Sequence, residues 1–273
     1  VLEQRARAEF DGLASALERA GVRVVIAADS DAPPKPDAIF PNNWVSFHED
    51  GTVVLYPLLA PNRRAERREP LIEAAAAATA GLIRRIVDLS AREQEEKYLE
   101  GTGSLVLDRV HRLAYASLSP RTHLDVLADF AHELDYELVT FDAADGAGRL
   151  IYHTNVLLSI GRAFAIVCGE SIRDARHREA VTARLRATGH EIIEISLAQL
   201  HAFAGNALEL TGRRGPLIAL SGSAWASLDA GQRRALERHG EPVLGEIPSI
   251  ERFGGGSVRC MLAEIHLPPR LLR

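Results

Sequence analysis

The stretch Trp44–Leu58, WVSFHEDGTVVLYPL, reads as two short strands around a tight turn, because Asp50-Gly51 accepts the positive φ angles that hairpin turns demand. A hairpin here argues for a mixed, partly antiparallel sheet. Downstream, Arg63–Gly81 (RRAERREPLIEAAAAATAG) carries helical spacing and an alanine run that favours helix. Upstream, Phe10, Leu13, Leu17 and Ala20 share one helical face, and Gly21 supplies a stop. Similar helical patterns start at Arg121, Ser171 and Ser223, so the helix starts recur at intervals of roughly 50–60 residues, a period of supersecondary scale.

Between the helices lie further β-rich runs: VRVVIAA from 22, SLVLDRV from 104, VLLSI from 156, AFAIVC from 163, EIIEIS from 191 and PLIAL from 216. Strand, hairpin and helix alternate with no Ser/Gly-rich or Pro-rich linker, which predicts one α/β domain over residues 1–273. The chain enters its first helix directly, so the first unit lacks a leading strand, as truncation would leave it. On pattern alone an ordinary doubly wound α/β sheet fits as well as a ring of repeats.

Composition narrows the function. A formal charge of -5 gives no basic surplus for gripping phosphates, so nucleic acid is a poor partner. No apolar run approaches the ~20 residues that cross a bilayer, and the opening VLEQRARAEF has no apolar signal core; the expectation is a cytoplasmic protein without a membrane partner. Two cysteines, Cys168 and Cys260, make neither a disulfide framework nor a structural zinc cluster.

Cys260 follows GGGSVR, where three glycines let backbone approach a ligand closely, and precedes the β-like run MLAEIHL. It reads either as a nucleophile or as a small buried hydrophobe beside a turn. Cys168, inside AFAIVCGE, reads as inert packing. His153, in IYHTNVLLSIG, could move protons near neutral pH, and Glu100, ahead of Gly-Thr-Gly and a strand, could orient an imidazole from a strand edge. Each also has a plain structural reading. In DAIFPNNWVSF, Asp37, Asn42 and Asn43 flank a strand entry, where asparagine is common for conformational reasons alone.

Taken together and in order, DAIFPNNW, YPLLAPNRRAERR, YLEGTGSLVLD, SLSPRTH, YHTNV, FAGNALEL and GGGSVRCMLAEIH resemble the guanidino-group-modifying superfamily of amidinotransferases, arginine deiminases and dimethylargininases. The likeness spans nearly the whole chain and is nearest the citrulline-utilisation hydrolase, or arginine-deiminase-related, branch. It implies a pentein α/β-propeller of five ββαβ units. It further implies Cys260 as nucleophile, His153 as general acid/base and Glu100 as the carboxylate that holds substrate nitrogens. Arg63 or Arg64 and Arg121 resemble the arginines that grip a substrate α-carboxylate.

The chain departs from arginine deiminases in having Asn43 and Asn155 where those enzymes place carboxylates. A neutral amide offers both a donor and an acceptor and suits a ureido group without burying unbalanced charge. The resemblance therefore implies a cysteine hydrolase of arginine or citrulline, forming a covalent intermediate and giving citrulline and/or ornithine plus ammonia. It needs no metal or organic cofactor; its partner is a small guanidino or ureido amino acid, with self-association into a homo-oligomer left open. The alternatives are an amidinotransferase, a dimethylargininase-like hydrolase and an inactive pentein that serves as a binding module.

Overall fold

The computed structural model describes residues 2–30 and 32–270, and opens with helix α1 (Leu2–Ala20). The hairpin forms as read: β1 (Val45–Phe47) pairs antiparallel with β2 (Thr52–Leu55), Ser46 opposite Val54, around Gly51 at φ +87°. Helix α2 (Glu69–Thr79) then returns the chain so that β3 (Arg85–Asp88) lies parallel to β2. Hairpin, helix and parallel strand make one unit with strand order β1-β2-β3.

The unit recurs. After the one-turn helix α3 (Gly101–Ser104), β4 (Val106–Asp108), β5 (Leu113–Ser117), α4 (Leu124–Leu134) and β6 (Glu137–Phe141) form the second. The third is β7 (Leu158–Ile160), β8 (Phe164–Val167), α5 (Ala175–Ala187) and β9 (Glu191–Glu194). Following α6 (Leu197–His201), the fourth is β10 (Leu208–Gly212), β11 (Gly215–Ser221), the helices α7 (Gly222–Ser227) and α8 (Ala230–Glu237), and β12 (Glu241–Gly245). Helix α9 (Pro248–Gly254) leads to the C-terminal run. Strands β5 and β8, paired on both edges, are buried at every position, which is why they are apolar apart from Ser117 at the end of β5.

Four units, not five, carry a ladder among the described residues. The run VRVVIAA at 22–28 joins no sheet; Val22 and Val24 pack beside α1 instead. MLAEIHL at 261–267 likewise joins none. Its alternation is real, since Ala263, Ile265 and Leu267 pack on the β1–β2 core while Glu264 and His266 line a polar cavity, but no strand lies beside it. Helix α1 has no sheet of its own and buries Leu13 and Leu17 against Val243 of β12 and Ile250 of α9, in the cluster that includes Cys260.

Two helical patterns are also divided. The pattern from Arg63 splits into a 3-10 turn, Pro61–Glu66, and α2, because residues before Pro70 resist helix while Pro70 itself starts one. The pattern from Ser223 breaks at Asp229, which caps α8 in a reciprocal box with Gln232. No helix among the described residues is long and apolar enough to cross a membrane.

Candidate active site

A short turn of helix precedes the first strand of several units: Pro41–Asn43 before β1, α3 before β4 and Thr154–Val156 before β7. A turn at Phe203–Asn206 precedes β10, and a further 3-10 turn, Val258–Met261, lies near the C-terminus. These turns pack together, 258–261 against 41–43, 41–43 against α3, and α3 against 154–156. Two side chains tie them: Thr154 Oγ1 donates to the Ser104 carbonyl at 2.6 Å, and Asn206 Nδ2 to the Asn155 carbonyl at 2.9 Å. Asn43, Glu100, His153, Asn155, Asn206 and Cys260 are thus gathered from residues far apart in the chain, and all are buried.

Two glycines make the packing close enough. Gly101 stands at φ +45°, and a Cβ there would lie 2.2 Å from the Asn42 carbonyl oxygen. At Gly103 a Cβ would lie 2.5 Å from Asn43 Nδ2 and 2.9 Å from His153 Nδ1. Only glycine lets α3 sit against both the asparagine turn and the imidazole.

Glu100 stands at the N-cap position of α3 rather than on a strand edge, and its side chain, which makes no cap bond to the helix, is fully buried. One carboxylate oxygen accepts the Leu59 N–H at 3.1 Å; the other takes His153 Nε2 at 2.7 Å and Arg121 Nη1 at 3.0 Å, with Arg63 Nη1 3.9 Å away. Burial pushes this carboxyl up, but the hydrogen bond and charge of His153 and the charges of Arg121 and Arg63 outweigh it and hold it at about 2. Burial also lowers His153 below its ordinary value, beyond what Glu100 restores. At neutral pH the pair is therefore a carboxylate and an uncharged imidazole. A carboxylate only accepts, so Nε2 carries the proton and Nδ1 keeps the free lone pair.

Cys260 lies in the turn 258–261 with Sγ 3.3 Å from Asn206 Nδ2 and 3.5 Å from Asn155 Nδ2. His153 reaches the sulfur's surroundings through its neighbours. The Tyr152 ring lies tilted by 56° against the His153 ring, centroids 4.9 Å apart, and its hydroxyl donates to the Gly255 carbonyl in the glycine run before Cys260. The cavity of about 190 Å³ beside this cluster is lined by Thr102, Asn155, Arg259, Glu264, His266 and Arg109, and not by Cys260, His153 or Glu100.

The arginines divide by place. Arg63 is buried, donates twice to Glu66 at 2.9 Å, and spends its other N–H groups on Asn43 Oδ1 at 2.8 Å and the carbonyls of Asp37 and Phe40. It braces the asparagine turn. Asp37 adds a carboxylate 3.9 Å from Arg63 Nε. Arg64 points away, to Glu93 at 3.2 Å and the Leu58 carbonyl. Arg121 joins Glu100 under the Tyr152 ring and stays partly exposed. Asn42 is fully buried, its Oδ1 accepting from Asn43, while its own Nδ2 has no partner among the described residues. Cys168 is buried at the end of β8, its thiol pushed up by burial. Sequence reasoning gave Asn206, Tyr152 and Gly103 no role; the signal for Asn206 was its position, just before β10 of the fourth unit. Among the described residues no group of three or more His, Cys, Asp and Glu is arranged to hold a metal ion.

Residues 1–267 match the family model described as N,N dimethylarginine dimethylhydrolase, eukaryotic. Among solved structures, the arginine dihydrolase ArgZ, from the ornithine-ammonia cycle in cyanobacteria, is similar at 18% identity and a TM-score of 0.74, covering 97% of this chain and 39% of that one. This chain therefore spans about two fifths of that protein's length. The N-terminal domain of ArgZ, covalently bound to a reaction intermediate, aligns at 18% identity and a TM-score of 0.75, covering 97% and 89%. A variant dimethylarginine dimethylaminohydrolase, in adduct with S-methyl-L-thiocitrulline, aligns at 15% and 0.66, covering 94% and 87%. These likenesses concern the fold. No curated protein matches the chain in sequence.

Proposed function

The chain belongs to the N,N dimethylarginine dimethylhydrolase family, within the guanidino-group-modifying superfamily, and from that premise we propose that it is a cysteine hydrolase of guanidino or ureido C–N bonds in an arginine-like amino acid. On this reading residues 1–273 form one pentein domain, its four sheets completed by a fifth unit around α1, and it works in the cytoplasm. The observation that carries the proposal is the burial of Cys260 in one cluster with an ionised Glu100 and a His153 that holds a free ring nitrogen.

Cys260 passes its thiol proton to the free nitrogen of His153 and, as thiolate, attacks the central carbon to form an S–C bond. The C–N bond breaks as His153 delivers a proton to the departing nitrogen. Water, losing a proton to the same imidazole, attacks the thiouronium or thiocarbamate, and the C–S bond breaks to restore the thiolate. Arginine then gives citrulline and ammonia; citrulline gives ornithine and carbamate, hence carbon dioxide and ammonia. Glu100 fixes the imidazole, while Asn43 and Asn155 offer neutral amides to the reacting group. Arg121, partly exposed beside Tyr152, is the arginine best placed for an α-carboxylate.

The family match favours a second reading, in which a methylated arginine loses an alkylamine by the same steps. Incubation with arginine, citrulline or dimethylarginine alone, quantifying ammonia, citrulline, ornithine and dimethylamine beside Cys260→Ser, tests both. Ammonia or dimethylamine release that vanishes in the variant supports a hydrolase and names its substrate. Silence until an acceptor such as glycine is added would replace it with an amidinotransferase.

A further inference from the structure

We infer that Asn206 is a further catalytic residue, a donor fixed in orientation that holds the Cys260 sulfur as an acceptor. The inference rests on the hydrolase reading above for its meaning, but its geometry stands apart. Asn206 is fully buried. Its Oδ1 accepts the Arg259 N–H at 3.0 Å, and a backbone N–H can only donate, so the oxygen must face that way. Its NH2 group is therefore committed to the other side, to the Asn155 carbonyl at 2.9 Å and the Cys260 sulfur at 3.3 Å. Asn155 has no such lock on its side chain: its Nδ2 and Oδ1 lie 3.5 and 3.8 Å from the same sulfur and can serve thiolate or thiol.

The asymmetry has a chemical consequence. A permanent N–H donor favours the anionic sulfur, since hydrogen bonds to an ionised acceptor are roughly twice as strong as neutral ones. Asn155 can turn its acceptor or donor to follow the proton. The turn carrying Asn206 is held tightly against its neighbour, for a Cβ at Gly205 would lie 2.5 Å from the Val156 carbonyl oxygen. Asn206 bridges the turns 154–156 and 258–261, so the donor arrives with the nucleophile already in register. Other titratable groups near the sulfur are Tyr152, an uncharged phenol that burial pushes up further, and Arg259, whose guanidinium is bound to Glu264 at 3.1 Å; His153 lies two residues before Asn155.

The test is the pH profile of Cys260 alkylation by iodoacetamide, read by peptide mass spectrometry with no substrate present. In Asn206→Asp one oxygen keeps the Arg259 contact, while the other gives up the bond to the Asn155 carbonyl and sets a like charge beside the sulfur. The alkylation midpoint should move up by about 1–3 pH units. Asn206→Ala, which removes the donor without adding a charge and also frees the Arg259 N–H, should move it up by less. Thermal melting establishes that each variant is folded. Midpoints unchanged from the parent in folded variants would overturn the inference and leave Asn206 a structural tie. A parent that turns over no guanidino or ureido substrate, while the midpoint still moves, would remove the hydrolase reading and leave the donor assignment standing.

Discussion

Replacing Glu100 by glutamine removes the charge that His153, Arg121 and Arg63 converge on, while keeping the side chain's size. In the folded protein the carboxyl is held at about 2 against an ordinary 4.5. At ~1.4 kcal/mol per pH unit, that displacement amounts to about 3 kcal/mol of stability. Because the folded value is depressed, the contribution is fully present above about pH 5 and is lost as pH falls through 2. His153 acts earlier in the same direction: its depressed value means that the unfolded chain takes up a proton first as pH drops below 6.5. Glu100 in turn raises the imidazole, so in Glu100→Gln His153 is depressed further and the variant's own acid limb is deeper. Urea unfolding of parent and Glu100→Gln at half-unit steps should therefore show the parent's advantage holding or growing as pH falls from 7 to 5 and shrinking between pH 5 and 2, by up to about 3 kcal/mol, as the carboxyl is protonated. A difference constant across that range would refute the view that Glu100 is an ionised, charge-held carboxylate.

Gly103→Ala drives a methyl into Asn43 and His153, both buried, and should lower kcat/KM at least ~100-fold while costing about 1–3 kcal/mol in thermal unfolding. Arg63→Met leaves Glu66 buried without its bidentate partner, and chemical denaturation should show a loss of about 3–5 kcal/mol. Arg121→Ala should raise KM and lower kcat, through lost substrate contact and a looser Glu100, whereas Arg64→Ala, facing Glu93, should leave steady-state kinetics near the parent's.

The sequence was most legible where local chemistry and packing agree. Asp50-Gly51 makes the hairpin because its turn needs a positive φ, and β8 is apolar throughout because it is covered on both faces and paired on both edges. Strands such as β3 were harder to see: at the sheet edge Arg85, Ile86 and Asp88 are exposed, so no alternation marks them. The runs at 22–28 and 261–267 show the opposite failure, carrying strand-like patterning that no neighbouring strand completes. At the candidate site, Cys260, His153 and Glu100 are singled out by their motifs and all three are buried, yet Glu100 stands at the start of a one-turn helix, since Gly101 at φ +45° permits a bend that a strand would not. Arg63 could not be told from a substrate-facing arginine, because its partners, Glu66 and Asn43, come together only on folding. Asn206 stayed hidden for a related reason: an asparagine before a strand looks conformational until the sulfur is seen beside it.

The most direct test traps the protein during turnover of its preferred guanidino or ureido substrate by rapid acid quench, followed by peptide mass mapping. The account predicts, on the peptide bearing Cys260, a mass increase of the whole substrate less ammonia when arginine is turned over, or of a carbamoyl group when citrulline is, absent in Cys260→Ser, which should also be inactive. An adduct on the peptide bearing Cys168, or turnover that persists in Cys260→Ser, would contradict it.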